Sequence, residues 1–167
     1  YDSAPAREVA ARAMRTICLA AYSASADLAR EKGAFPAFEL EPYLDGAFVR
    51  RLPAALRDRI AGTGIRNSHL TAIAPAGTIS LLAGNVSSGA EPIFEFEANR
   101  RVLDRSGHRV EFAVEDHAVR LWRASRGDDP LPEAFVTARE LSPDAHLAMQ
   151  AGLQPWVDGA ISKTIHL

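Results

Sequence analysis

Apolar positions in the first thirty residues recur at steps of three and four, with polar side chains between them. This is the period of an amphipathic helix, and it predicts one long helix over residues 4–32. Pro5 suits the first turn, and Gly33 suits the left-handed conformation that often closes a helix. The stripe predicted to face the core consists of Ala10, Met14, Ile17, Ala21, Ala24 and Leu28.

The rest of the chain changes between shorter helical and extended patterns. Helices are predicted near 42–50, at 54–61, 78–84 and 116–126, and from Ser142 to a break at Pro155. Strands are predicted at "HLTAIA" (69–74), "IFEFEANRRVL" (93–103), "RVEFAVE" (109–115) and "ISKTIHL" (161–167), with a hairpin turn over 104–108.

The first and last of these strands are predicted to be single buried strands whose partners lie elsewhere. This pattern favours a helix-rich α/β fold, part of an α/β barrel or sheet rather than a self-contained helical bundle. We expect one continuous segment over residues 1–167. It should be mainly helical over 1–65 and should mix strands with helices over 66–167.

Composition narrows the class of protein. The 167 residues are 47% hydrophobic and 24% charged, which is ordinary for a soluble domain with one core. A net charge of -2 argues against nucleic acid as a partner, and no apolar run approaches the roughly 20 residues of a membrane span. The single cysteine excludes an internal disulfide, which favours a reducing, cytoplasmic location. Because the chain opens on Tyr1 and stops within an extended pattern, we expect a piece of a larger protein.

The stretch "APAGTISLLAG" at 74–84 is a candidate anion site. It joins a predicted strand to a predicted helix through Pro75, Ala76 and Gly77. The first N–H groups of a helix have no internal partners and lie at the positive end of its dipole. A phosphate could accept from them, with the hydroxyls of Thr78 and Ser80 as further donors. The motif alone leaves a second interpretation open, in which Thr78 only caps its helix.

Other polar residues give weaker signals. The five histidines lack metal-ligand spacing, so we expect surface or singly hydrogen-bonded rings at His69, His108, His117, His146 and His166. Glu91, Glu95 and Glu97 alternate along a predicted strand and favour a solvated face over a metal cage. Cys18 is expected to be a small, partly buried hydrophobe rather than a reactive thiol. The polar residues from Asp158 to Thr164 indicate a structural junction or the rim of a site.

Three stretches together resemble the large subunit of ribonucleotide reductases. They are "YDSAPAREVAARAMRTICLAAYSASADLAREKGAFPAF" (1–38), "RNSHLTAIAPAGTISLLAGNVSSGAEPIF" (66–94) and "LAMQAGLQPWVDGAISKTIHL" (147–167). Within the second stretch, "GTISLLAGNVSSGAEP" resembles class II, the adenosylcobalamin-dependent enzymes. The resemblance implies a ten-stranded α/β barrel built from two half-barrels, of which this chain is similar to a later part.

The resemblance also implies an activity and a site. The family reduces a ribonucleotide through a cysteine thiyl radical, and in class II adenosylcobalamin supplies the radical. The family's Pro-Thr-Gly-Thr-Ile-Ser loop holds the substrate's phosphates, diphosphate or triphosphate. Its counterpart here begins at Pro75 and assigns phosphate binding to Ala76, Gly77, Thr78, Ile79 and Ser80. Two positions depart from the family: Ala76 replaces a threonine and His166 an asparagine.

Part of the family's chemistry is missing from this sequence. The Asn-x-Cys-x-Glu loop and the cysteine pair that supplies electrons have no counterpart, and Cys18 lies in a long helix instead. We therefore expect no catalytic residue and no activity from this chain alone. Its partners would be a ribonucleotide, the remainder of the reductase chain and, through exposed strand edges, other copies of itself.

Three hypotheses remain open from the sequence. The chain is a segment of a class II reductase that supplies the phosphate loop. Alternatively, it is a non-catalytic, reductase-like module that binds a nucleotide or a protein. A third possibility is a segment of a class I reductase, which uses a separate radical-generating subunit.

Overall fold

The structure is a computed structural model that describes residues 1–165. Its helices are α1 (Ala4–Lys32), α2 (Leu40–Asp45), α3 (Ala54–Thr63), α4 (Gly77–Leu82), α5 (His117–Arg126) and α6 (Pro143–Leu153). Its strands are β1 (Glu97–Leu103) and β2 (Arg109–Glu115), and short 3-10 turns lie at Val49–Arg51 and Gln154–Trp156. The described part of the chain is helix-rich, as predicted, but it contains two antiparallel strands, so the predicted fragment of a ten-stranded α/β barrel is not confirmed.

The chain divides into two units. The first, which we call the helical unit, comprises Ala4–Ile73 and Ala151–Ile161. The second, which we call the hairpin unit, comprises Tyr1–Ser3, Ala74–Gln150 and, within the described chain, residues 162–165. Each unit is described separately below.

Helix α1 has the predicted length but buries a different face. Ile17 and Leu28, both in the predicted stripe, are 54% and 37% exposed. The prediction of that stripe is therefore wrong. The residues that α1 buries are Cys18, Tyr22, Ser25, Ala26 and Ala29.

Partners from other elements explain the change of face. The ring of Tyr22 stacks on that of Phe48, with their centroids 5.7 Å apart. Ser25 can be buried because its hydroxyl donates to the side chain of Asn67 at 3.0 Å. Hydrogen-bonded polar groups can be buried at little cost in free energy. The face of α1 that carries the hydroxyls of Tyr22 and Ser25 can therefore be the buried one.

The core of the helical unit forms where α1 meets α3 and the turns between them. Its buried members are Cys18, Tyr22, Ala26, Val49, Leu52, Ile60 and Ile65. A cluster of three aromatic rings, Phe35, Phe38 and Tyr43, packs against this core. Helix α3 matches its prediction closely. The helix predicted near 42–50 is instead α2 and a 3-10 turn, separated at Gly46.

Within residues 1–165, the two predicted single strands do not form regular strands, and the last two positions of the second, 166–167, lie outside the described residues. The segment 69–74 and the segment beginning at Ile161 share one parallel bridge, between Ile73 and Ile161. The Ile73 N–H donates to the Ala160 carbonyl at 3.0 Å, and the Gly159 N–H donates to the Thr71 carbonyl at 2.9 Å. A strand needs a continuous neighbour to form a ladder. These two segments share only these few backbone hydrogen bonds, which are too few to form a ladder.

The hairpin in the hairpin unit has the predicted turn and the predicted second strand. Its antiparallel register runs from Glu97 opposite Glu115 to Leu103 opposite Arg109. The Asp104 carboxylate accepts from the N–H groups of Ser106 and His108, and Gly107 adopts a positive φ of 82° in the turn. These are the groups that close a tight turn.

The first strand is shorter than predicted. It begins at Glu97 rather than at residue 93, so Glu91 and Glu95 do not lie on it. The Ile93 carbonyl accepts from the Ala138 N–H at 3.0 Å, and the Glu95 carboxylate pairs with Arg139 at 3.1 Å. Bonds to this later segment, rather than to β2, hold the first half of the predicted strand.

Helices α5 and α6 begin where the sequence predicts. The Asp116 carboxylate caps α5 by accepting from the N–H groups of Ala118 and Val119, and Val119 is fully buried. Helix α6 begins at Pro143, and its regular part ends at Leu153, two residues before Pro155. Both predictions are confirmed.

Candidate functional site

The backbone of the candidate loop leaves three N–H groups outside the hydrogen bonds of its helix. Ala76 is the N-cap of α4, and its own N–H donates to the Ser88 carbonyl at 2.7 Å. The Ser80 N–H donates to the Ala76 carbonyl at 2.7 Å, which is the first bond of the helix. The N–H groups of Gly77, Thr78 and Ile79 precede that bond and have no partner within the helix.

The two hydroxyls of the loop have different surroundings. Ser80 is buried, and its Oγ donates to the Gly77 carbonyl at 2.8 Å, so its proton stabilises the loop itself. Thr78 is exposed and lies one residue inside the helix, which has no side-chain cap. The interpretation of Thr78 as a helix cap is therefore wrong. Its hydroxyl donates to no group within residues 1–165.

The chain returns past the loop through two residues with positive φ. Gly84 has φ of 92° and Asn85 has φ of 62°. The N–H groups of Asn85 and Val86 donate to the Ser80 carbonyl at 2.9 and 3.2 Å, and the Asn85 amide donates to the Glu115 carbonyl at 3.1 Å. Sequence reasoning did not single out Asn85. The Gly-Asn pair is a turn signal that could have identified it.

A cavity of about 230 Å³ lies beside the loop, within the hairpin unit. Its polar lining comes from several parts of the chain: Ser80, Ser87, Ser88, Glu91, Arg100 and Thr164. The sequence predicted phosphate binding for Ser80, and it predicted a structural junction or the rim of a site for the segment that contains Thr164. Arg100 comes from β1 and Thr164 from the predicted last strand, and only the tertiary structure brings them to Ser80.

A buried lysine supports one wall of this cavity. The Lys163 side chain is 4% exposed, and its Nζ donates to the Tyr1 hydroxyl at 2.9 Å and to the Ala90 carbonyl at 3.4 Å. The Glu91 carboxylate lies 3.9 Å from the same Nζ and is 16% exposed. The predicted solvated face is therefore wrong for Glu91. No local pattern could have revealed the contact between Lys163 and Tyr1, since 162 positions separate them.

Burial determines the protonation of this cluster. Desolvation lowers the pKa of Lys163, and the nearby Glu91 carboxylate acts in the opposite direction. Burial, helped by Glu91, raises the pKa of Tyr1 to about 12. The phenol is therefore neutral at physiological pH, and its hydroxyl donates to the Ala90 carbonyl at 2.5 Å. The cluster ties three distant parts of the hairpin unit together.

Asp158 forms a structural junction within the helical unit. This is one of the two roles that the sequence predicted for the segment, the other being the rim of a site. The Asp158 carboxylate accepts from the N–H groups of Leu70 and Thr71 at 2.8 and 2.7 Å and from the Tyr22 hydroxyl at 2.8 Å. The Thr71 hydroxyl donates to it at 2.8 Å as well. Desolvation opposes its charge, but these hydrogen bonds outweigh the burial and lower the pKa of Asp158.

The histidines do not assemble a site in the described part of the chain. His146 is fully buried, and its Nε2 lies 3.2 Å from the Ala138 carbonyl. His69 and His108 are exposed, and His117 contacts Arg120. His166 lies outside the described residues. Within residues 1–165 no three histidine, cysteine, aspartate or glutamate side chains are grouped to hold a metal ion.

Cys18 should be unreactive in the folded protein. It is fully buried in α1, and burial, together with the charge of Asp158, raises its pKa to about 11. Because the thiolate is the nucleophile, both effects suppress reaction at pH 8. We expect a chromogenic disulfide reagent to titrate no thiol in the native chain and one thiol in urea. Rapid labelling of the native chain would contradict this burial.

No helix in the part of the chain that the structure describes has the length and apolarity needed to cross a membrane.

Comparison with known proteins identifies the family. A family model described as ribonucleotide reductase, barrel domain, matches residues 1–167. The vitamin B12-dependent ribonucleoside-diphosphate reductase of Mycobacterium tuberculosis is 37% identical over 187 aligned positions, which cover 100% of this chain and 24% of that protein. The corresponding protein of Thermoplasma acidophilum is 31% identical over 186 positions, covering 100% of this chain and 22% of its own length.

A relative without a stated B12 dependence also aligns with the whole chain. The ribonucleoside-diphosphate reductase large subunit of Caenorhabditis elegans is 30% identical over 195 positions, which cover 100% of this chain and 25% of that protein. The chain spans about a quarter of the length of these relatives. The chain belongs to the ribonucleotide reductase family and matches its barrel domain.

Proposed function

We propose that this chain is a segment of a vitamin B12-dependent ribonucleoside-diphosphate reductase and that it supplies the loop that binds the substrate's phosphates. The match of the whole chain to B12-dependent relatives supports the class of enzyme. Those relatives are named for diphosphates, which favours a ribonucleoside diphosphate over a triphosphate. In the intact enzyme, the segment would form part of the ten-stranded barrel.

The geometry of residues 75–80 is the observation that carries the phosphate assignment. The N–H groups of Gly77, Thr78 and Ile79 are not used by their helix, and the exposed Thr78 hydroxyl adds a further donor. A Cβ placed on Gly77 would meet no atom within 4 Å, so a ligand can approach the backbone closely. Ala76 contributes only backbone, and Ser80 stabilises the loop from inside. Phosphate oxygens accept well from such a set of donors.

The radical chemistry is assigned to other parts of the longer protein. Adenosylcobalamin, when bound to the longer protein, would supply the initiating radical, and a reactive cysteine of that protein would act on the ribose. Cys18 is fully buried with a raised pKa, which does not suit that role.

Two variants of the loop test the phosphate assignment in the full-length protein. Thr78→Ala removes one hydrogen bond to a charged group, about 1.5–3 kcal/mol, so nucleoside diphosphate should bind roughly tenfold more weakly or worse. Gly77→Val should weaken binding at least as much, because its side chain stands beside the three N–H groups, at a position where a Cβ meets no atom within 4 Å. Calorimetric titration measures both affinities.

Matched controls separate binding from folding. Thr16→Ala removes an exposed threonine of α1 and Gly152→Ala adds a methyl group where nothing lies within 4 Å, so both should bind as the unaltered protein does. Unchanged affinity in Thr78→Ala and Gly77→Val would overturn the loop assignment. Turnover that requires added adenosylcobalamin supports class II over class I. Nucleotide binding without any turnover would favour the non-catalytic module, which the substitution at Ala76 also motivates.

A further inference from the structure

Arg100 lines the cavity beside the candidate loop and has no partner among residues 1–165. No hydrogen bond or ion pair within that range engages its side chain. Neighbouring arginines of the hairpin unit differ: Arg101 pairs with Glu111 at 2.5 Å and Arg139 with Glu95 at 3.1 Å. An arginine that lines a cavity without a carboxylate partner can hold an anion there.

The strand register separates Arg100 from its neighbour. Arg100 lies opposite Phe112, and Arg101 lies opposite Glu111. Successive residues of a strand point to opposite faces of the sheet. Of these two arginines, Arg100 therefore points toward the cavity and Arg101 points away from it. Arg101 is thus a control of equal charge on the same strand.

Three hydroxyls in the same cavity are free to donate. Within residues 1–165, no group accepts from the side chains of Ser87, Ser88 and Thr164. The Ser87 Oγ only accepts, from the Gly89 N–H at 3.5 Å. Ser80 differs, because its proton goes to the Gly77 carbonyl. The cavity therefore combines one guanidinium with several hydroxyl donors.

Among the described residues that line the cavity, Glu91 is the one acid, and its charge is already compensated. The Glu91 carboxylate lies 3.9 Å from the buried Lys163 Nζ and also accepts from the Thr164 N–H. A carboxylate held by a buried cation and a backbone donor contributes little net charge to the space beside it. Because the charge of Glu91 is balanced in this way, the guanidinium of Arg100 gives the cavity a net positive charge.

We infer that this cavity binds one phosphate group of the nucleotide and that Arg100 supplies its counter-charge. The inference rests on the proposed function and extends it to a phosphate-binding residue of the hairpin. The volume of about 230 Å³ is below the roughly 300–1,000 Å³ of whole-ligand pockets, so it suits one group of a ligand. Guanidinium pairs with phosphate through two parallel hydrogen bonds, and hydroxyls complete its coordination.

The test compares three variants of the full-length protein by calorimetric titration with a nucleoside diphosphate and with inorganic pyrophosphate. Arg100→Gln should weaken binding of both probes at least tenfold. The affinity of Arg100→Lys should lie between that of Arg100→Gln and that of the unaltered protein. Arg101→Gln removes the same charge from the opposite face of the hairpin, and its affinity for both probes should stay within twofold of that of the unaltered protein. The dependence of affinity on salt should also be shallower in Arg100→Gln alone.

The outcomes separate this inference from the proposed function. If Thr78→Ala weakens nucleotide binding while Arg100→Gln does not, the inference fails and the proposed function stands. If the protein binds pyrophosphate through Arg100 but no nucleoside diphosphate, the proposed function fails and the anion site stands. Equal losses in Arg100→Gln and Arg101→Gln would show a general charge effect and overturn the inference, as would an unaltered protein that binds neither probe.

Discussion

Replacing Asp158 with asparagine should lower the free energy of unfolding of the chain by about 3 kcal/mol at pH 7. One carboxylate accepts from the Leu70 N–H, the Tyr22 hydroxyl and both the N–H and the hydroxyl of Thr71. An asparagine amide keeps the shape but turns an NH₂ group toward donors. Each donor left unpaired costs about 1–3 kcal/mol, and some will find water.

The loss should depend on pH in a defined direction. The hydrogen bonds hold the pKa of Asp158 below its ordinary value of about 3.9, although burial alone would raise it. The stability that the ionised carboxylate contributes is therefore fully present above pH 4. It is lost as the pH falls through the lower pKa of the folded protein. The difference between the unaltered chain and Asp158→Asn should shrink at pH 3 and below.

Urea unfolding in a Trp122→Phe background measures this effect, because Trp156 in the helical unit then reports by fluorescence. Asp58→Asn is the matched control. Asp58 is exposed on α3 and has no hydrogen bond or ion pair within residues 1–165, so its loss should change stability by less than about 0.5 kcal/mol. A difference between the two variants that does not change between pH 7 and pH 3 would contradict the role given to the Asp158 charge.

Replacing Gly64 with alanine should destabilise the chain by about 3 kcal/mol. Gly64 ends α3 with φ of 71° and ψ of -166°, a region of backbone space that is essentially restricted to glycine. A Cβ there would lie 2.9 Å from the Ala34 Cβ and 3.5 Å from the Phe38 ring. Backbone strain and steric overlap act together, since the aromatic cluster that would have to move packs on the core.

Gly62, two residues earlier, gives the opposite expectation. It lies within α3, and a Cβ would meet nothing within 4 Å. Gly62→Ala should stabilise the chain by about 0.5–1 kcal/mol, because alanine loses less backbone entropy on folding. The two midpoints of urea unfolding should shift in opposite directions. A similar shift in both variants would contradict the conformation described for Gly64.

Elements with strong local signals could be predicted from the sequence. The length of α1, its end at Gly33, the turn around Gly107 and the cap at Asp116 each depend on residues within a few positions of one another. Neighbouring residues also determine the start of α4 at Gly77. This start leaves the three N–H groups of the candidate loop outside the hydrogen bonds of the helix. Local sterics and capping determine these features, and both can be read from neighbouring residues.

The partners of these elements could not be predicted in the same way. Which face of α1 is buried depends on Phe48 and Asn67, and the role of Asp158 depends on a segment 87 positions away. The expected strand at 69–74 has only one bridge, because a ladder requires a neighbour that local pattern cannot supply.

For the candidate site, the sequence determined the helix start, the exposed Thr78 and the glycine that allows close approach. Only the tertiary structure placed Arg100, Ser88 and Thr164 around one cavity and paired Glu91 with the buried Lys163. The physical reason is the range of the forces involved. Backbone conformation is fixed by contacts within a few residues, whereas the charge and shape of a cavity depend on side chains that only folding brings together.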